Sequence, residues 1–130
     1  MKQSSYKNAA EVAKKKLNEV SPTMCLAKWN QTSLHLPTGL TNSCYHPPLH
    51  RIDEKQLENN PAALHNTVEK LDQRFKMLQG ERPEGCSYCW KMEDNGEISD
   101  RHYRSGEPWA MQDFEQIRQN PMTTSWTPRY

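Results

Sequence analysis

Four cysteines, Cys25, Cys44, Cys86 and Cys89, constrain the fold of this 130-residue chain more than any other feature. The last two form a C-x2-C step, which places two thiolates on one turn at the spacing that a single metal centre needs. The first two lie on a distant segment and would complete a set of four thiolates. We therefore predict one metal centre held by these four cysteines.

The composition gives a physical reason for such a centre. Hydrophobic residues make up only 34% of the chain, and its mean hydropathy is -1.06. Disordered chains usually combine low hydropathy with high net charge and few aromatic residues, whereas this chain has a net charge of +1, four Trp and five Tyr. We expect a small folded domain whose thin core is stabilised by the metal.

Charge and hydropathy argue against two classes of partner. The 17 basic and 16 acidic residues are interspersed without a long run of one sign, which disfavours a nucleic-acid interface. No window has the roughly 20 apolar residues needed to cross a bilayer, so we expect no membrane association and a cytoplasmic location. In a reducing compartment the cysteines are expected to be ligands; two disulfides or free thiols are the alternatives.

The N-terminal half predicts a helix and a hairpin. Residues 8–20 have an apolar stripe at helical spacing, formed by Val12, Ala13, Leu17 and Val20. Residues 29–36 and 40–44 form two strands, joined by a turn at Gly39. Closure of this hairpin would bring Cys25 and Cys44 to the same end of the ribbon.

The C-terminal half predicts two helices around the C-x2-C turn. Asn60 caps a helix over residues 61–79, which Gly80 ends, and its apolar stripe is expected to face the core: Leu64, Val68, Leu71, Phe75 and Leu78. Residues 86–92 form a knuckle and a short helix. Residues 109–118 form another helix, with Ala110, Phe114 and Ile117 inward. The fold class is therefore a small α+β domain with a hairpin, a knuckle and two to three helices.

Two kinds of metal centre fit four thiolates. Zinc would occupy a tetrahedral structural site, while a 4Fe-4S cluster would use the same ligands spread over a wider cube. Zinc knuckles usually pair two short C-x2-C steps, but eighteen residues separate Cys25 from Cys44, which favours the cluster. A zinc site of three cysteines and His46 is a further alternative.

The order of these residues resembles a known family. The resemblance is carried by residues 25–29, by Gly39 followed five positions later by Cys44, and by residues 77–83 leading to the turn 86–89. The chain resembles the N-terminal auxiliary region, of the twitch and SPASM type, of twitch-domain radical S-adenosylmethionine proteins. This resemblance covers most of residues 22–130. It implies one auxiliary 4Fe-4S cluster on Cys25, Cys44, Cys86 and Cys89.

The resemblance also implies an organisation and a partner. Residues 1–21 would be an N-terminal helix, residues 22–106 the twitch-like domain, and residues 107–130 a short helix and linker toward a radical S-adenosylmethionine barrel in the same or a separate chain. Such barrels bind S-adenosylmethionine through a C-x3-C-x2-C loop, which this sequence lacks. The chain is thus expected to be the front piece of a longer enzyme, or a standalone relic of one, and to be non-catalytic alone.

The alternative function is a zinc-stapled module that binds a protein or RNA partner. Four residues near the knuckle in sequence could stack on a base or a peptide: Trp90, Arg101, Tyr103 and Arg104. The lack of net positive charge argues against RNA, and aromatic residues that shield a cluster from water are the simpler interpretation.

Overall fold

The computed structural model describes residues 2–44 and 46–129, with side chains from Tyr6 onward. It is an α+β fold, as predicted, in which short helices surround one three-stranded antiparallel sheet. The helices are α1 (Lys2–Val20), α2 (Ala27–Asn30), α3 (Glu54–Asn59), α4 (Val68–Leu78), α5 (Ser87–Asp94), α6 (Asp100–Ser105), α7 (Pro108–Met111) and α8 (Phe114–Gln119). The expectation of two to three helices was therefore too low.

The sheet contains the predicted hairpin and one strand more. Strands β1 (Thr32–His35) and β2 (Leu40–Ser43) pair antiparallel, and β3 (His50–Arg51) adds to the free edge of β2. Gly39 has a φ of +68°, as its turn position requires. The first strand is shorter than predicted, because Trp29 lies in α2 and not in the sheet.

Helix α1 packs on α6 through small and aliphatic side chains. Ala13 and Leu17 are fully buried, whereas Val12 is 55% exposed, so its predicted inward position was wrong. A Cβ on Gly106 would lie 3.0 Å from the carbonyl oxygen of Ala9, which shows how closely α1 approaches the end of α6.

The long helix predicted over residues 61–79 is interrupted. Asn60 caps only a 3-10 turn (Pro61–Leu64), and α4 begins afresh at Val68, where the Thr67 hydroxyl accepts a hydrogen bond from the Lys70 amide. Gly80, with a φ of +79°, ends the helix as predicted. The prediction of a single helix over residues 109–118 was also wrong, because α7 and α8 divide it, although Ala110, Phe114 and Ile117 are buried as expected.

The packed face of α4 overlaps its apolar stripe only in part. Val68 and Phe75 are 57% and 51% exposed, whereas Lys70, Arg74 and Met77 are buried. The centre of the buried face lies about one residue, or roughly 100°, from the stripe. The predicted core face was therefore wrong for Val68 and Phe75, whereas Leu78 packs against the core as predicted.

The core is one cluster that includes all four cysteines. It runs from Leu17 on α1 through residues 24–27 and Trp29 to Met77, Trp90, Phe114 and Ile117. The C-terminal segment closes one side, where the indole of Trp126 donates to Asn30 Oδ1 at 3.0 Å and Arg129 pairs with Asp113 at 2.7 Å. None of the described helices combines the length and apolar character needed to span a membrane.

Candidate metal centre

The four cysteines lie on four different local structures and line one buried cavity. Cys25 precedes α2, and Cys44 follows β2. Cys86 ends a 3-10 turn (Glu84–Cys86), and Cys89 lies in the first turn of α5. Each is at most 9% exposed, and none is in a disulfide. The structure thus brings together the thiols that the sequence singled out.

Closure of the hairpin sets the position of Cys44. Its backbone amide donates to the carbonyl oxygen of Gln31, 3.1 Å away, just beyond the paired residues of β1 and β2. Its φ of +64° is in the left-handed region, where a non-glycine residue costs roughly 1–2 kcal/mol. Such a conformation persists where its surroundings over-determine it, and it turns the chain at the cavity wall.

The knuckle approaches the loop after Cys44 very closely. A Cβ added to Gly85 would lie 3.0 Å from Cβ of Pro47 and 3.2 Å from Cδ of Pro48. Proline rings cannot yield by changing rotamer, so only glycine permits this approach next to Cys86. The sequence therefore needs Gly85 for packing, and this packing brings the two cysteine-bearing loops together.

Helix α6 holds the loop that carries Cys25. The buried guanidinium of Arg101 donates to the carbonyl oxygen of Met24 at 2.8 Å and pairs with Glu93 at 2.7 Å. The Ser105 hydroxyl accepts from the amide of Leu26 at 3.0 Å and donates toward Cys25 Sγ at 3.9 Å. The residues on both sides of Cys25 are therefore fixed by α6, a helix that the sequence analysis did not predict.

Three of the thiols lie near groups that favour their ionisation. The Ala27 amide opposes the rise in the pKa of Cys25, the Arg101 amide opposes that of Cys89, and the Lys28 ammonium opposes that of Cys86. Such groups favour the thiolate form, which is the form that binds metals. They therefore suit a metal-thiolate centre.

Burial opposes ionisation of the metal-free thiols. It raises the pKa of Cys25 to about 12, with a further contribution from the other three thiols, and it raises the pKa of Cys89 to about 11. The pKa of Cys86 is also raised by burial, against the effect of Lys28. A metal that binds here must therefore displace protons, because the thiolate is the ligand.

The size and shape of the cavity bear on which metal it could hold. Its volume is about 20 Å³, which corresponds to about one water-sized sphere. Within residues 2–44 and 46–129, no group of three or more His, Cys, Asp and Glu side chains has the arrangement of a single-ion site. The described side chains therefore form no ready-made single-ion site, and a cavity of this size would have to widen to hold a four-iron cube.

His46 also lines the cavity. Its Nε2 lies 2.7 Å from Asp100 Oδ2, and its ring stacks on Tyr88 with centroids 4.5 Å apart. A carboxylate partner of this kind is typical of a histidine whose other nitrogen binds a metal, but it equally fixes a histidine that closes the cavity. No sequence pattern points to Asp100, because its contact with His46 joins distant parts of the chain.

The proposed stacking surface near the knuckle does not form. Trp90 and Arg101 are 7% and 2% exposed, and the Trp90 indole donates to the carbonyl oxygen of Pro83 at 2.9 Å. Both residues line the cavity, as does Arg104. The interpretation of these residues as a binding surface for a base or peptide was wrong for Trp90 and Arg101, which are part of the interior.

Lys28, within the segment 25–29 that carries the resemblance, also lines the cavity. No sequence signal distinguished it, because a lysine in a short polar helix is ordinarily exposed.

Comparison of the chain with protein-family models, with curated proteins and with solved structures found no match.

Proposed function

We propose that this chain binds one 4Fe-4S cluster through Cys25, Cys44, Cys86 and Cys89 and acts as the auxiliary-cluster region of a radical S-adenosylmethionine enzyme. The observation that carries the proposal is that four cysteines from separate local structures line one buried cavity. The family assignment is supported only by the sequence pattern of these cysteines and the segments around them.

Four protein thiolates would complete the coordination of such a cluster, so it would serve electron transfer or structural support. In this role the protein would exclude water with the buried side chains of Trp90 and Met77, and the Ser105 hydroxyl donates toward Cys25 Sγ at 3.9 Å. The partner would be the barrel that holds S-adenosylmethionine, in the same chain or a separate one, in the cytoplasm. On its own the chain would not generate a radical, because it lacks the C-x3-C-x2-C loop.

A zinc-stapled binding module is the second candidate, and the small cavity volume favours it. A single ion needs less room than a cube, with zinc to sulfur distances of about 2.3 Å. Against it stands that, among the described residues, no three His, Cys, Asp or Glu side chains form a group that could hold a metal ion, and this counts against the cluster as well.

Anaerobic purification and metal analysis separate the two candidates. The cluster predicts about four irons and four sulfides per chain and broad visible absorption. One zinc per chain, with no iron and no colour, would overturn the cluster and leave the binding module.

A further inference from the structure

The outward side of α4 is apolar. Val68 and Phe75 are more than half exposed, and Leu71, which lies between them in sequence, is only partly buried. Their spacing of three and four residues places all three on one side of the helix, here called the outer stripe. The inward side carries Lys70 and Arg74 instead. Helix α4 thus exposes apolar side chains to water while it buries two basic ones.

An apolar stripe of this kind is typical of a helix that packs against another helix. Val68 and Phe75 are seven residues apart, which is the repeat of equivalent positions in helices that pack side by side. Exposed apolar residues that share one continuous surface mark interaction sites more often than scattered ones do. Aromatic residues such as Phe75 are also enriched in protein interfaces. The outer stripe is therefore a candidate docking surface.

The charged residues beside the outer stripe indicate what docks on it. The side chains of Glu69, Asp72 and Lys76 are 42–57% exposed and lie along the flank that faces away from the buried side of α4. The two acidic residues are in the first half of the helix, and the basic one is near its end. A partner with charge of one sign would be repelled at one end of this row. A second copy of α4 that runs in the opposite direction brings opposite charges together.

We infer that α4 is a self-association surface, on which a second copy of this chain packs antiparallel about a two-fold axis. Val68 of one copy would lie against Phe75 of the other, with Leu71 of both copies near the axis. A two-fold interface uses the same patch on each copy, so each contact occurs twice. The inference goes beyond the proposed function and requires no bound metal. A patch on an 11-residue helix is small, so the dimer should be weak.

Sedimentation equilibrium of the full chain in reducing buffer, from about 1 μM to 1 mM, measures the dissociation constant of such a dimer. Phe75→Glu and Val68→Glu each place a charge at one end of the outer stripe. Leu36→Glu makes the same change at an exposed position just after β1 and serves as the matched control. All three positions are exposed, so circular dichroism and thermal melting should show that each variant folds like the wild type.

Charge reversal tests whether the partner is a second copy. Lys76→Glu makes the row acidic throughout, and the double variant Glu69→Lys, Asp72→Lys makes it basic throughout, so each protein alone should dimerise more weakly than wild type. An equimolar mixture of the two should associate again. The variant with all three reversals exchanges the acidic and basic ends. It should dimerise like wild type, because an antiparallel pair of such helices is still complementary.

We expect a wild-type equilibrium between monomer and dimer, which Leu36→Glu leaves unchanged and which Phe75→Glu and Val68→Glu weaken roughly tenfold or more. A wild-type protein that is monomeric at every concentration would overturn the inference and leave the outer stripe to a different protein. A dimer that both stripe variants leave intact would also overturn it, since the interface would lie elsewhere. Failure of the charge-reversed mixture to associate would contradict the antiparallel arrangement. None of these results depends on metal content, so the proposed function is tested separately.

Discussion

At the scale of single residues, the cysteine positions carried the most information. The sequence predicted which four thiols would belong together, and the structure places them around one cavity. It could not predict Lys28, Lys70 or Arg74 as interior residues, since the usual rule places basic side chains in water. Their burial depends on neutral acceptors such as Thr41 and Asn66, which become neighbours only after folding.

Substitution of Cys86 tests the site at this scale. Cys86→Ser replaces a thiolate ligand with a hydroxyl, which binds iron poorly, so the purified variant should lose most of its iron and melt at a lower temperature. Ser87→Ala alters the exposed neighbour and should change neither property. Wild-type iron content and melting in Cys86→Ser would contradict the assignment of this residue as a ligand.

The buried lysine on α4 predicts a pH dependence of stability. Burial, with the charges of Arg74 and Lys28, lowers the pKa of Lys70 from 10.5 to about 7. Between these pH values the unfolded chain binds the proton that the folded chain has lost, so stability rises with pH. Below pH 7 Lys70 is protonated in both the folded and the unfolded chain, so the full cost of burying its charge destabilises the fold. Above pH 9 the raised pKa values of Cys25 and Cys89 lower the stability as pH rises, because the unfolded chain loses thiol protons that the folded chain keeps.

We therefore expect the free energy of unfolding of the metal-free protein to rise between pH 7 and 9, by at most about 1.4 kcal/mol per pH unit. Urea denaturation at constant ionic strength measures it. Lys70→Met should abolish this rise, whereas Lys76→Met, at a partly exposed position of the same helix, should keep it. The same slope in wild type and Lys70→Met would show that Lys70 does not titrate in this range.

At the scale of elements, local signals were reliable for turns and weaker for helices. Gly39 and Gly80 mark a turn and a helix end as predicted, because a positive φ is a backbone requirement that needs no tertiary contact. The break at residues 65–67, the division between α7 and α8, and strand β3 were missed. Helical periodicity also misplaced Val68 and Phe75 of α4, since spacing alone does not show which neighbours a face meets.

Two substitutions on α4 test its orientation. Met77 is 1% exposed, so Met77→Ala should lower the free energy of unfolding by about 2–5 kcal/mol, the usual cost of removing a buried side chain. Phe75 is 51% exposed, and Phe75→Ala should cost less than about 1 kcal/mol. Both values come from urea denaturation. An equal or larger loss for Phe75→Ala would mean that the apolar stripe is the packed face after all.

At the scale of the whole molecule, the make-up of the core reflects the low content of hydrophobic residues in the chain. One core cluster brings together residues of helices α1, α4, α5 and α8 and of the segment that precedes α2. Four members of this cluster are cysteines. Cysteines thus take positions that larger apolar side chains fill in a more hydrophobic chain. We expect metal to contribute substantially to the stability of this fold, because ligands brought from distant segments couple binding to folding.

Metal analysis of the anaerobically purified protein tests the central claim most directly. Iron, acid-labile sulfide and zinc are measured per chain and compared with the visible spectrum of the same sample. We predict about four irons and four sulfides with a brown colour, most of which are lost in Cys86→Ser. Stoichiometric zinc without iron, or no metal at all, would contradict the assignment of this cavity to an iron-sulfur cluster.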